Sequence, residues 1–208
     1  MRLTNSEIRA KSREVLGGKI FAQKWLMALL ASLVVSIIVS VASSFTFGIG
    51  AIVLAGPLYL GINKLFLNTV RTSDEIKVER VFDGFKNFKS SFILSIMESI
   101  FICLWTLLLI VPGIIKAYAY SMSIYILADH PEYTWKQCLD ESQKMMKGHK
   151  WSLFCLQFSF IGWIIVSAFT LGLGMLWVAP YQQTANAVFY NELKAANEPE
   201  VEAEEVNA

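Results

Sequence analysis

Residues 25–63 read WLMALLASLVVSIIVSVASSFTFGIGAIVLAGPLYLGIN, without a single charge. One helical crossing of a hydrocarbon core takes about 20 apolar residues, so this run holds two crossings rather than one. A cleaved signal peptide would place an apolar stretch of roughly 7–15 residues behind a short basic start. Here the whole of Met1 to Lys24 precedes a much longer run, and the segment is expected to stay in the protein.

Two further runs repeat the design. Ser90 to Ala128 is interrupted only by Glu98 and Lys116, and Trp151 to Asn191 carries no charge at all. Each run again has room for two crossings, and each contains helix breakers where a hairpin turn would fall: Gly48 and Gly50, Pro112 and Gly113, Gly172 and Gly174. The fold class that follows is all-α, a polytopic membrane bundle of six transmembrane helices in three hairpins. The expected spans are about 25–47, 51–70, 90–111, 114–129, 151–171 and 174–191. The fourth is the shortest, since Ile114 to Ala128 gives only about 23 Å of helix against a core of roughly 30 Å.

Composition agrees: of the 208 residues, 55% are hydrophobic and 17% charged, well below the roughly 25% charge of soluble chains. A net charge of +1 argues against a nucleic-acid partner. With the three turns on one side, every Lys and Arg except Lys116 falls on or near the other, which predicts cytoplasmic N- and C-termini. The lipid bilayer is then the partner the sequence names, with a protein partner on the cytoplasmic side allowed by the charged segments. Oligomeric state is not legible.

A charged segment precedes each hairpin and ends in two apolar residues, a glycine and a base, around Gly18, Gly84 and Gly148. The nearly equal intervals between these glycines suggest three units, 1–70, 71–130 and 131–194, within one membrane domain, chance recurrence at membrane boundaries being the rival reading. Val81, Phe85 and Phe88 share a helical face among charges, as in a helix lying on a membrane surface. Residues 195–208, with five Glu and one Pro, read as a disordered acidic tail.

Candidate chemistry is sparse. Cys103, Cys138 and Cys155 form no C-x-x-C pair, and His130 and His149 have no ligand-spaced partner, so neither metal nor cofactor is predicted. No catalytic constellation can be assembled, and an enzyme is not expected. Ala28, Ser32, Ser36, Ser40 and Ser44 recur at every fourth position as a small-residue packing stripe. Glu98, well inside its span, should either pair with Lys64 at similar depth or stay neutral. Lys64, Glu98, Gln157, Gln183 and Asn186 form the candidate intramembrane polar site, as interhelical glue or as the lining of an inward-facing pocket.

Several stretches resemble a bacterial membrane-protein family catalogued as domain of unknown function 975: Val111 to Tyr118 with its PGIIK, Tyr125 to Asp129, Met145 to Trp151, and Ala179 to Tyr190 with its Pro-Tyr. The resemblance implies an integral protein of a bacterial plasma membrane and transfers no catalytic or binding residue. Two functions remain open: a non-enzymatic accessory or organising membrane component, or a small transporter or channel component built around Glu98.

Overall fold

The computed structural model describes residues 4–18, 22–46, 49–72, 76–169 and 174–206, and among them every regular element is helical. In chain order these are α1 (Asn5–Val15), α2 (Gln23–Phe45), α3 (Ile49–Thr72), the 3-10 helix η1 (Val78–Asn87), α4 (Phe88–Leu108), α5 (Ile110–Tyr120), α6 (Ser123–Asp129), α7 (Trp135–Met145), α8 (Lys150–Phe158), α9 (Ile161–Phe169) and α10 (Met175–Val206).

Five stretches are long and apolar enough to cross a membrane: Gln23–Ser44, Gly50–Thr72, Val78–Leu108, Ile110–Asp129 and Lys150–Ser167. The sixth expected span falls in α10, whose first turns carry Gln182, Gln183, Thr184, Asn186 and Asn191 where the other stretches are mostly aliphatic. The turn residues Gly48 and Gly172, and with them the ends of the first and fifth expected spans, lie outside the described residues.

The middle turn departs from expectation. The chain breaks at Leu109, which is extended (φ −157°, ψ 133°), and Pro112 falls inside the first turn of α5. The first four N–H groups of a helix have no intrahelical partner, so proline costs little there. Gly113 packs against Thr106 of α4 rather than making the turn. The fourth stretch consequently extends over 20 residues, about 30 Å, and is no longer the short one.

α3, α6 and α10 are the inner helices. α3 packs against α2, η1, α4, α6 and α10, whereas large apolar side chains of α2, α4 and α9 stay exposed, including Ile37, Val41, Leu104, Leu107, Trp163 and Val166. Unpaired apolar faces of this extent belong against lipid. The serine stripe of α2 shows both sides of this division. Ala28 is fully buried, while Ser32, Ser36 and Ser44 donate to carbonyls one turn back, and Ser32, Ser36 and Ser40 border a groove facing Met175, Leu176 and Ala179.

α1 and α7 correspond position by position at an offset of 130. Thr4 and Thr134 cap them, each closing a capping box with Glu7 or Gln137. Ile8 and Cys138, Ser12 and Ser142, and Leu16 and Met146 are all fully buried. Gly18 and Gly148 then turn the chain with φ of 74° and 82°, a region that favours glycine. Ser142 donates to the Ala119 carbonyl and accepts from Met122 N–H, which ties α7 to the junction of α5 and α6. The cysteines are free, and burial pushes the Cys138 thiol up to about 12.

The segment that leads into α4 is built differently. η1 stays 3-10 throughout and lies backbone to backbone on α3. Residues 195–206, read from composition as a disordered tail, continue α10 as helical backbone. Ala and Glu are good helix formers, so low apolar content excludes a packed core here without excluding a helix.

The close approach of η1 to α3 rests on two glycines. A Cβ at Gly61 would meet the Val81 carbonyl oxygen, and one at Gly84 would meet the Pro57 carbonyl oxygen, whereas one at Gly162 would meet nothing. Gly61→Ala and Gly84→Ala should each lower stability by about 1–3 kcal/mol through overpacking. Gly162→Ala should be neutral or raise it by about 0.5–1 kcal/mol, all three read from thermal unfolding in detergent.

Candidate functional site

The five polar residues predicted to share a pocket do not converge. Glu98 on α4 accepts a hydrogen bond from Ser123 Oγ of α6 at 2.9 Å, and Tyr118 of α5 donates to Gln157 Oε1 of α8 at 3.0 Å. Gln183 Oε1 and Asn186 Oδ1 on α10 are buried without a hydrogen-bond partner. Among the described residues no hydrogen bond or ion pair joins any two of Lys64, Glu98, Gln157, Gln183 and Asn186.

The expected pair between Lys64 and Glu98 is therefore replaced by a bond between Glu98 and Ser123. Equal depth does not bring two side chains together, because direction around the helix also counts. α3 meets α4 through Gly56, where a Cβ would run into the Ser91 carbonyl and Ser95 Oγ. Eight steps at about 100° each turn Lys64 roughly 80° away from that face.

A stronger cluster forms where α3 and α6 end against α10. Asp129, the last residue of α6, takes Arg71 Nη1 of α3 on Oδ1 at 2.7 Å and Arg71 Nη2 on Oδ2 at 2.8 Å. Its Oδ2 also accepts from Lys194 Nζ of α10 at 2.8 Å and from the Tyr190 hydroxyl at 3.0 Å. Arg71 Nε donates to Asn191 Oδ1 at 2.9 Å, and Tyr125 stacks on Tyr190 with ring centroids 5.3 Å apart. The Asp129 side chain is only 7% exposed, against 34% for Arg71 and 30% for Lys194. A bidentate guanidinium, an ammonium and a phenol thus saturate one buried carboxylate.

Asp129 enters the sequence reading only as the end of the stretch Tyr125 to Asp129, and the cluster is missed. A signal is present all the same. Asn63, Phe66, Asn68 and Arg71 recur as Asn186, Phe189, Asn191 and Lys194 at an offset of 123, and Pro57 and Pro180 share that offset. The two bases that meet at Asp129 hold equivalent places in the two phrases.

A cavity of about 530 Å³ lies where α1 meets the start of α2, α9 and α10. Arg9, Arg13, Trp25, Trp163, Trp177 and Tyr181 border it. The Tyr181 hydroxyl donates to the Arg9 carbonyl at 3.1 Å, and its ring contacts those of Trp25 and Phe160. Among the described residues no group of three His, Cys, Asp or Glu side chains could hold a metal ion.

The chain belongs to the family described as Protein of unknown function (DUF975), whose model matches residues 1–118 and 107–197. No curated protein and no solved structure matches it. Membership agrees with the resemblance carried by the PGIIK and Pro-Tyr phrases and assigns no activity.

The two clusters give opposite expectations for paired substitutions. Asp129→Asn should cost about 2–4 kcal/mol, somewhat below the roughly 3–5 kcal/mol of a fully buried pair because both bases are about a third exposed. Arg71→Met combined with it should cost less than the sum of the two. Lys64→Met and Glu98→Gln should instead add to within about 0.5 kcal/mol, with detergent melting curves of single and double variants as the measurement.

Proposed function

We propose that the protein is a non-enzymatic accessory or organising component of a bacterial plasma membrane. In this reading it has six spans, arises from three copies of a unit of charged helix, span, turn and span, and keeps both termini in the cytoplasm. The observation that carries the proposal is that three sets of its polar side chains join helices to one another, Glu98 with Ser123, Tyr118 with Gln157, and Asp129 with Arg71 and Lys194. Polar contacts of that kind fix a bundle rather than bind a substrate.

Orientation has a specific support. Lys116, the one base left on the turn side by the sequence count, donates to Gln143 Oε1 of amphipathic α7 at 2.7 Å and lies over the rings of Trp105 and Tyr120. Single cysteines near Gly50, Leu109 and Gly174, introduced in a background lacking native thiols, should react with an impermeant maleimide added outside intact cells. Cysteines near Lys77 and Lys144 should react only after lysis, and labelling at Lys77 from outside would overturn the assignment.

One observation favours the second reading, a small transporter or channel component. Glu98 is held by a hydroxyl alone, with no cation within ion-pair distance among the described residues, and an acid within an apolar span is a functional hypothesis by default. Proteoliposomes given a pH step should separate the two readings. The accessory role predicts equal, background proton flux for the wild type and Glu98→Gln. Flux well above empty vesicles that Glu98→Gln abolishes would replace the accessory role with the second reading.

A further inference from the structure

The cavity bordered by α1, α2, α9 and α10 has an unbalanced set of polar groups. Arg9 and Arg13 are one turn apart on α1 and share a face, so they repel unless an anion lies between them. Among the described residues neither forms an ion pair, although Lys11 of the same helix pairs with Glu192 at 3.1 Å. Arg9 Nε and Trp25 Nε1 are buried without a hydrogen-bond partner, and Trp25 is only 5% exposed. A buried N–H left unsatisfied bears its full desolvation penalty, so two beside one cavity mark a place for an acceptor.

The chemistry of that acceptor follows from the lining. Two guanidinium groups and an indole N–H donate, and among the described residues no carboxylate borders the cavity. Guanidinium forks suit the oxygens of a phosphate, which they can grip in bidentate fashion. The remaining lining is aromatic and aliphatic, with Trp163, Trp177 and Val178 beside the basic groups. Trp163 is 58% exposed on the apolar outer surface of α9. One ligand therefore meets cations at one end and indoles at the other, the polarity of a lipid at a membrane boundary. The volume of about 530 Å³ is within the roughly 300–1,000 Å³ of ligand sites and exceeds what a bare phosphate needs.

We propose that this cavity binds a phosphate-ester anion carried by a lipid, with Arg9 and Arg13 holding the phosphate, Trp25 Nε1 donating to it, and Trp163 and Trp177 flanking the glycerol and the first acyl carbons. Tyr181 is a positioning residue: bonded to the Arg9 carbonyl and packed on Trp25, it sets the spacing of α1 from α2. The site goes beyond the organising role and needs only that the chain be embedded in a bilayer, which alkaline extraction of membranes checks separately.

Native mass spectrometry of the full chain in mild detergent tests the assignment. Dioleoylphosphatidylglycerol should give one adduct that survives activation, while dioleoylglycerol, which lacks the phosphate, should give none. The Arg9→Gln/Arg13→Gln double variant should weaken the adduct at least about tenfold, the effect of one lost charge-assisted bond or more. Trp25→Phe should weaken it less, and Lys136→Gln/Lys147→Gln, at exposed positions elsewhere, should leave it unchanged. If the double variant fails to fold, Trp25→Phe together with the dioleoylglycerol comparison decides. Equal adducts with the two lipids, or an adduct unaffected by the arginine and tryptophan changes, overturns the proposal. Displacement by millimolar glycerol 3-phosphate or inorganic phosphate would overturn the lipid as the source.

Discussion

One buried carboxylate gathers the three inner helices. Asp129 closes α6, and its two oxygens are shared by Arg71 from α3 and by Lys194 and Tyr190 from α10. Removing a carboxylate from water costs several kcal/mol, and only a full set of donors offsets that cost. Here the geometry is bidentate toward Arg71, and Asn191 takes the remaining Nε donor. The contact is local to the ends of α3 and α6 and one stretch of α10, yet it fixes how far each helix can slide along the others. The stacking of Tyr125 on Tyr190 and the burial of Phe66 and Phe189 follow from that register.

The same constraint makes the internal correspondences intelligible. The phrase around Asn63 to Arg71 and its counterpart around Asn186 to Lys194 each close with a base on an inner helix, and α6 between them ends with the acid. The entrance helices α1 and α7 match as well, from threonine cap to positive-φ glycine. Among the described residues no such helix directly precedes α4. η1 replaces it, pressed against α3 through Gly61 and Gly84, with Val81 fully buried at the contact. The helices around a centre that holds one acid and two bases cannot all make identical contacts, and the acid lies on the stretch that follows η1 rather than a helix like α1 or α7.

Much of the fold is legible in the sequence because solvent selects it: long uncharged runs must be helical where no water can satisfy the backbone. The hairpin turns are less so. Pro112 has the look of a turn, but proline is tolerated in a first helical turn, and the break falls on Leu109, a residue with no local signature. The polar site is the least legible. Depth along a helix follows from residue number, whereas direction around it depends on packing, and Gly56 of α3 decides that direction. The pairing of Lys64 with Glu98 fails for that reason, and the cluster at Asp129 escapes notice because single charges near helix ends look like solvated boundaries. Comparing the two asparagine-rich phrases raises Arg71 and Lys194 together, though not their shared partner.

The distribution of packing also separates what protein contacts hold from what lipid holds. Side chains at the inner helix ends are almost completely enclosed, among them Phe66, Leu127, Phe189 and Leu193. The hairpin of α4 and α5 exposes an unbroken apolar series from Leu107 to Val111. Lipid tails are as apolar as those side chains, so burying them against another helix would gain little, and the hairpin tip needs no protein cover. Specificity therefore concentrates where charges force helices to meet, at Asp129, and where backbones touch, at Gly61 and Gly84. The outer surfaces of α2, α4 and α9 are free to vary as long as they stay apolar. The cavity beside Arg9 and Trp25 breaks that rule, since it sits on the periphery and still presents directed donors, and a peripheral site with directed donors is positioned to read the membrane rather than to hold the bundle together.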